Sequence, residues 1–134
     1  MRLATLPALA ATAVLILAAC SPAASSATPP DVVGTWVGEY SFALADGSAN
    51  PSTETLVISR QEDGLLWGYE QWEEGGTQMH APLTGSLVDG GRGIVLTEPA
   101  GFYRGTVDGD TMTVVFTRVD AEQHTAFEVV LTRQ

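Results

Sequence analysis

The stretch Arg104-Gly105-Thr106-Val107-Asp108-Gly109-Asp110-Thr111-Met112-Thr113-Val114-Val115-Phe116 decides the fold class. Met112, Val114 and Phe116 alternate with Thr111, Thr113 and Val115, which is the period of two that a strand with one apolar face requires. Asp108-Gly109 separates this run from an earlier one that ends in Val107. An Asp-Gly pair tolerates the positive φ of a type I′ turn, so the segment reads as a β-hairpin.

The same grammar extends in both directions. Turn signals stand at Asp46-Gly47, Asp63-Gly64, Gly75-Gly76, Asp89-Gly90-Gly91, Pro99-Ala100-Gly101 and Asp120-Ala121-Glu122. Between them lie β-branched and aromatic runs, and no segment sustains helical spacing. Strands are expected near 33–42, 53–60, 65–72, 77–81, 84–88, 92–98, 102–107 and 111–118, with a ninth near 124–133. Trp36, Gly38, Tyr40 and Phe42 share one face of the first. Leu65, Trp67 and Tyr69 share the more apolar face of the third, which is therefore expected to point inward. Thr84-Gly85-Ser86-Leu87-Val88-Asp89-Gly90 echoes Arg104-Gly105-Thr106-Val107-Asp108-Gly109, a hairpin unit used repeatedly. Gly38, Gly68, Gly85 and Gly105 inside strands permit the sharp bending of a small closed barrel. These features predict an all-β domain: an antiparallel up-and-down barrel of about eight strands, following a signal peptide and a flexible linker.

Three segments divide the chain. Residues 1–19 read as a secretory signal: Arg2 supplies a positive start, and Leu6 to Leu17 is an apolar run too short to span a bilayer core of about 30 Å. Residues 20–30, with Pro22, Pro29 and Pro30 and no charge, cannot bury enough surface to offset their ordering entropy and read as a tether. Residues 31–134 form the barrel domain. Cys20 is the only cysteine of the 134-residue chain, so no intramolecular disulfide exists. The chain has 6 basic residues, all arginine, against 16 acids, a net charge of −10. That balance argues against recognition of nucleic acid through a basic surface.

Leu17-Ala18-Ala19-Cys20 resembles the lipobox of bacterial lipoproteins at all four positions. The resemblance implies diacylglyceryl transfer to the Cys20 thiol, cleavage before Cys20, fatty acylation of the new amino group, palmitate among the acyl chains, and residence on the extracytoplasmic side of the cell membrane. Two acyl chains anchor far more firmly than one. Gly34-Thr35-Trp36, opening the first strand, resembles the G-x-W start of lipocalin-like barrels, a kind of start shared by avidins and nitrobindins. This resemblance implies that Trp36 plugs the closed end of the barrel, with a late arginine, Arg133 or Arg118, stacked over it. The biotin-contacting pattern of avidins is absent, and His124 lacks the context of a haem ligand, so no cofactor is implied.

No catalytic motif is present. His80 and His124 show no zinc-ligand spacing and belong to no nucleophile–base set. Asp108-Gly109-Asp110 lacks the ligands of a calcium loop, and Gly90-Gly91-Arg92-Gly93 precedes a strand, not the helix a phosphate loop needs. Glu70, Glu73 and Glu74 surround Trp72, a grouping that can mark a sugar site or an acid/base pair, but nothing in the spacing fixes their separation. The expected role is a monomeric small-ligand binding module with Trp67, Tyr69, Tyr103 and Phe116 around an apolar interior. The alternative is a filled barrel that acts as a protease inhibitor or docks an envelope protein through an exterior patch containing Trp72. An enzyme is not expected, and no metal site is.

Overall fold

The computed structural model describes residues 28–43, 47–74, 76–119 and 124–134. Residues 1–27, on which the expected signal peptide, Cys20 and most of the expected tether fall, and the turn residues Asp46, Gly75 and Asp120 to Glu122 lie outside the described residues, as do the side chains of Glu73 and Glu74.

Eight strands follow one another: β1 (Gly34–Ala43), β2 (Ala49–Glu62), β3 (Leu65–Glu74), β4 (Thr77–Val88), β5 (Gly93–Glu98), β6 (Gly101–Asp108), β7 (Thr111–Val119) and β8 (His124–Arg133). Each pairs antiparallel with the next, and β8 returns to β1 to close the barrel. The closing seam sets Trp36 against Arg133 and Val37 against Thr132. Closure leaves no free sheet edge.

The segments 77–81 and 84–88 are one strand, so eight strands stand where nine were counted. Pro82 does not break β4, because pairing with β5 begins only at Thr84. On the other side Pro82 pairs with Tyr69 of β3. Its missing N–H thus falls where the ladder is one-sided.

Two hairpin turns differ in kind. Asp63 and Gly64 both carry positive φ, 49° and 82°, between the paired residues Glu62 and Leu65. This is the type I′ pattern. At the other hairpin Asp108 pairs with Thr111, so the loop is Gly109-Asp110, and only Gly109 has positive φ. Glycine at the first central position is the type II′ pattern, which corrects the I′ turn expected at Asp108-Gly109.

The end of the barrel where β1 begins is filled. Trp36, Ile58, Leu66, Ile94, Met112 and Leu131 are buried there with Val32. The Trp36 indole N–H donates to the Val32 carbonyl at 3.0 Å. Gln61 ties the incoming chain down: its amide donates to the Pro30 carbonyl and accepts from the Val32 N–H. Arg133 lies over Trp36, 4.7 Å from the ring centroid. Its guanidinium donates to the carbonyls of Asp31 and Val33 and stands 3.1 Å from the Asp110 carboxylate.

Phase along the third strand is opposite to that expected. Leu66 is 1% exposed, whereas Leu65 is 51% and Tyr69 36% exposed. Leu66, Gly68, Glu70 and Trp72 therefore face inward, and Trp67 and Tyr69 face out. The Asp63-Gly64 turn sets this register. Outside, Trp67 is covered by the Arg60 guanidinium, 3.8 Å above the ring, and Tyr69 meets His80 edge-on. Inside, Gly68 is demanded by close approach, since a Cβ there would overlap the Val57 carbonyl of β2.

Candidate functional site

The opposite end of the barrel is open. Its cavity holds about 890 Å³, within the range of small-molecule sites. The cavity is built from two unlike walls.

One wall is aromatic. Tyr40 and Phe42 come from β1, Phe127 from β8, Phe116 from β7 and Tyr103 from β6. Tyr40 stacks on Phe127 with centroids 3.8 Å apart. Phe127 meets Phe116 at 5.2 Å, and Phe116 meets Tyr103 at 4.7 Å. Each residue is an inward position on its strand, and the register of β6, β7 and β8 with the closure onto β1 brings them together.

The other wall is carboxylic. Glu54 of β2, Glu70 of β3 and Glu98 of β5 all line the cavity. Ala81 of β4 stands between them and leaves room by its small size. Glu54 is 3% exposed. Burial, and then the charge of Glu70, push its carboxyl up to about 8. Burial, and then the charge of Glu98, push Glu70 up to about 7, against the pull of Arg118. Glu98 accepts the Ala100 N–H at 2.7 Å through Oε2, while its Oε1 is buried without a partner. The Tyr103 hydroxyl is also buried and outside hydrogen-bonding geometry with any group, although it adjoins Glu54 and Glu70 closely enough to favour their charged forms. Burial and the three carboxylates hold its phenol well above the ordinary range. Burial likewise raises Tyr40, beside Ser52 and Glu54. Arg118 of β7 is the one cationic side chain among the described lining residues.

The residues singled out in the sequence fall in three places. Tyr103 and Phe116 line the cavity. Trp67 and Tyr69 do not; they lie on the outer face, which corrects their expected place in the interior. Trp72, read equally as outside or at the rim or as turned inward by a bulge, lines the cavity near the end of β3. The exterior patch thus loses its anchoring residue. Trp36 and Arg133 are together at the filled end, and Arg118 is at the open one.

Glu54 and Glu98 were not singled out in the sequence, and Glu70 was read only with its neighbours. A signal was available. Glu54-x-Leu56-x-Ile58, Leu66-x-Gly68-x-Glu70 and Ile94-x-Leu96-x-Glu98 each run a carboxylate in phase with inward apolar positions. A charged residue on a buried stripe is costly, which marks it as a departure from packing. Among the described residues no group of three or more His, Cys, Asp or Glu converges on a point that a metal ion would occupy.

No protein-family model matches the chain. No curated protein matches it. Among solved structures it is similar to a redesigned β-barrel, with a TM-score of 0.53 and 16% identity over 76% of this chain and 90% of that one. At that identity the likeness is one of fold alone, a closed antiparallel barrel.

Proposed function

We propose that this chain is an extracytoplasmic lipoprotein whose barrel binds a small molecule at its open end. The observation that carries the reading is the cavity of about 890 Å³, walled by aromatic rings on one side and carboxyl groups on the other. Barrels of about eight strands either fill with their own side chains or hold one small ligand, and here one end is filled and the other is not. Buried polar groups at Tyr103 and Glu98 have hydrogen-bonding capacity to offer a ligand.

The lipobox-like Leu17-Ala18-Ala19-Cys20 supports the anchor. The chain enters the barrel at the filled end, where Gln61 holds Pro30 and Val32. An anchor at Cys20 then joins the chain on the side of the filled end and leaves the open mouth on the opposite side. That is a useful orientation for capturing a solute.

Native mass spectrometry of the processed chain, purified from a bacterial host and offered cell extract, tests the binding. An added small mass lost on denaturation is expected; a bare chain after exposure to extract overturns the reading. The anchor is tested separately by Cys20→Ser. Loss of the lipid mass and release from the membrane fraction are expected, and unchanged membrane attachment overturns it.

A further inference from the structure

The two walls specify a kind of ligand, an inference that rests on the binding-module reading above. We infer that the barrel binds an organic cation: a protonated amine whose nitrogen sits between Glu54, Glu70 and the Tyr103 hydroxyl while its apolar body lies against Tyr40, Phe116 and Phe127.

Four observations converge on it. First, the carboxyl wall supplies acceptors with unspent capacity: Glu98 Oε1 is buried and unpartnered. Second, Tyr103 is itself completely buried, lines the cavity, and turns its hydroxyl to the site without a partner. A buried hydroxyl beside carboxylates is complete when an N–H donor is placed among them. Third, Tyr40, Phe116 and Phe127 line the same cavity and offer aromatic surface for the apolar body of such a ligand. Fourth, the chain carries a net charge of −10, which draws cations toward a mouth lined with acid. The carboxylates do not converge on a metal-sized point, and the cavity is far larger than an ion, so the cation must bring its own bulk.

Proton linkage follows from the same geometry. Facing Glu54 are Tyr40 from β1, Glu70 from β3, Glu98 from β5, Tyr103 from β6 and Arg118 from β7; β4 and β8 contribute Ala81, Thr125 and Phe127, which do not titrate. With Glu54 near 8 and Glu70 near 7, the empty site holds protons at neutral pH. An arriving cation favours the carboxylates and expels protons, so binding tightens as pH rises.

The test is calorimetric titration of the processed chain with phenethylamine, 2-phenylethanol and phenylacetate, three probes of one shape and different charge. The amine, protonated throughout, is expected to bind at least about tenfold tighter than the alcohol, equivalent to about 1.4 kcal/mol. Its affinity is expected to fall about tenfold or more from about pH 8 to about pH 6, with proton release seen as a dependence on buffer ionisation heat. Glu54→Gln with Glu70→Gln is expected to lower amine affinity by at least about tenfold more than it lowers alcohol affinity; circular dichroism verifies that the double variant is folded. Alcohol or phenylacetate binding as tightly as the amine overturns the cation, as does an amine that fails to bind. Neither result touches the binding-module reading, which the native mass measurement decides independently.

Discussion

Glu54 and Glu70 are diagonal neighbours on adjacent strands, both turned into the barrel: Glu70 pairs with Leu56, two residues from Glu54. Each is a like charge beside a like charge in a buried setting, and each raises its own proton affinity by burial first. Diagonal neighbours on one face of a sheet are within side-chain reach. The pair therefore cannot ionise without cost, and the cost is available to be offset by a bound cation.

Stability should fall as pH rises. The folded chain keeps protons on Glu54 and Glu70 that the unfolded chain releases near 4.5. The contribution is complete below that value and is lost as pH climbs through about 7 for Glu70 and about 8 for Glu54. The limiting slope for one fully linked group is about 1.4 kcal/mol per pH unit. Thermal unfolding followed by circular dichroism should show the highest Tm near about pH 5 and a lower one near about pH 8. A Tm that climbs over that interval contradicts the burial of these carboxyls.

Glu54→Gln should stabilise the unliganded protein at about pH 8 by about 1–2 kcal/mol, because it removes a buried charge that has no ammonium partner. The same variant should have little effect near about pH 5, where Glu54 is already neutral. Chemical denaturation at the two pH values measures the difference. Equal effects at both would place the gain elsewhere.

Trp67 and Trp72 should behave oppositely. Trp72 lines the cavity, so Trp72→Ala should weaken ligand binding by about tenfold or more, as expected for loss of an aromatic anchor. Trp67 lies outside under Arg60. Trp67→Ala should leave binding unchanged and cost about 1 kcal/mol of stability, the size of an exposed cation–π contact.

Arg133→Ala should loosen the filled end. It removes donors to the Asp31 and Val33 carbonyls and the cover over Trp36, at a cost of about 2 kcal/mol. Arg133→Lys should recover only part of this, because an ammonium lacks the planar fork. Urea denaturation of the three proteins gives the order directly.

Two glycines separate crowding from turn strain. Gly68→Ala forces a Cβ onto the Val57 carbonyl between β2 and β3 and should cost about 1–3 kcal/mol or more. Gly109→Ala meets nothing within 4 Å but must hold a φ of 59°, which should cost about 1 kcal/mol. A larger loss at Gly109 than at Gly68 in thermal unfolding would contradict the close approach of β3 to β2 at Gly68.

Much of the fold was legible in local patterns. The Asp63-Gly64 turn, the alternation of Met112, Val114 and Phe116, and the glycines within strands each act over a few residues, where backbone sterics and the pleat determine the outcome. The third strand was misread because Leu65, Trp67 and Tyr69 offer more apolar area than Leu66, Gly68 and Glu70. Area favours the first set for the core. The close approach of β2 at Gly68, which only a residue without a Cβ fits, goes with the second.

The sequence by itself determined an all-antiparallel chain of hairpins, because turn chemistry and period two are local properties. Only the tertiary structure decided which face of each strand became the interior, and so gathered Glu54, Glu70, Glu98 and Tyr103 around one cavity. The physical reason is closure. When β8 meets β1, register is no longer free on any strand, and residues far apart in the chain, such as Glu54 and Tyr103, 49 positions apart, are brought beside one another.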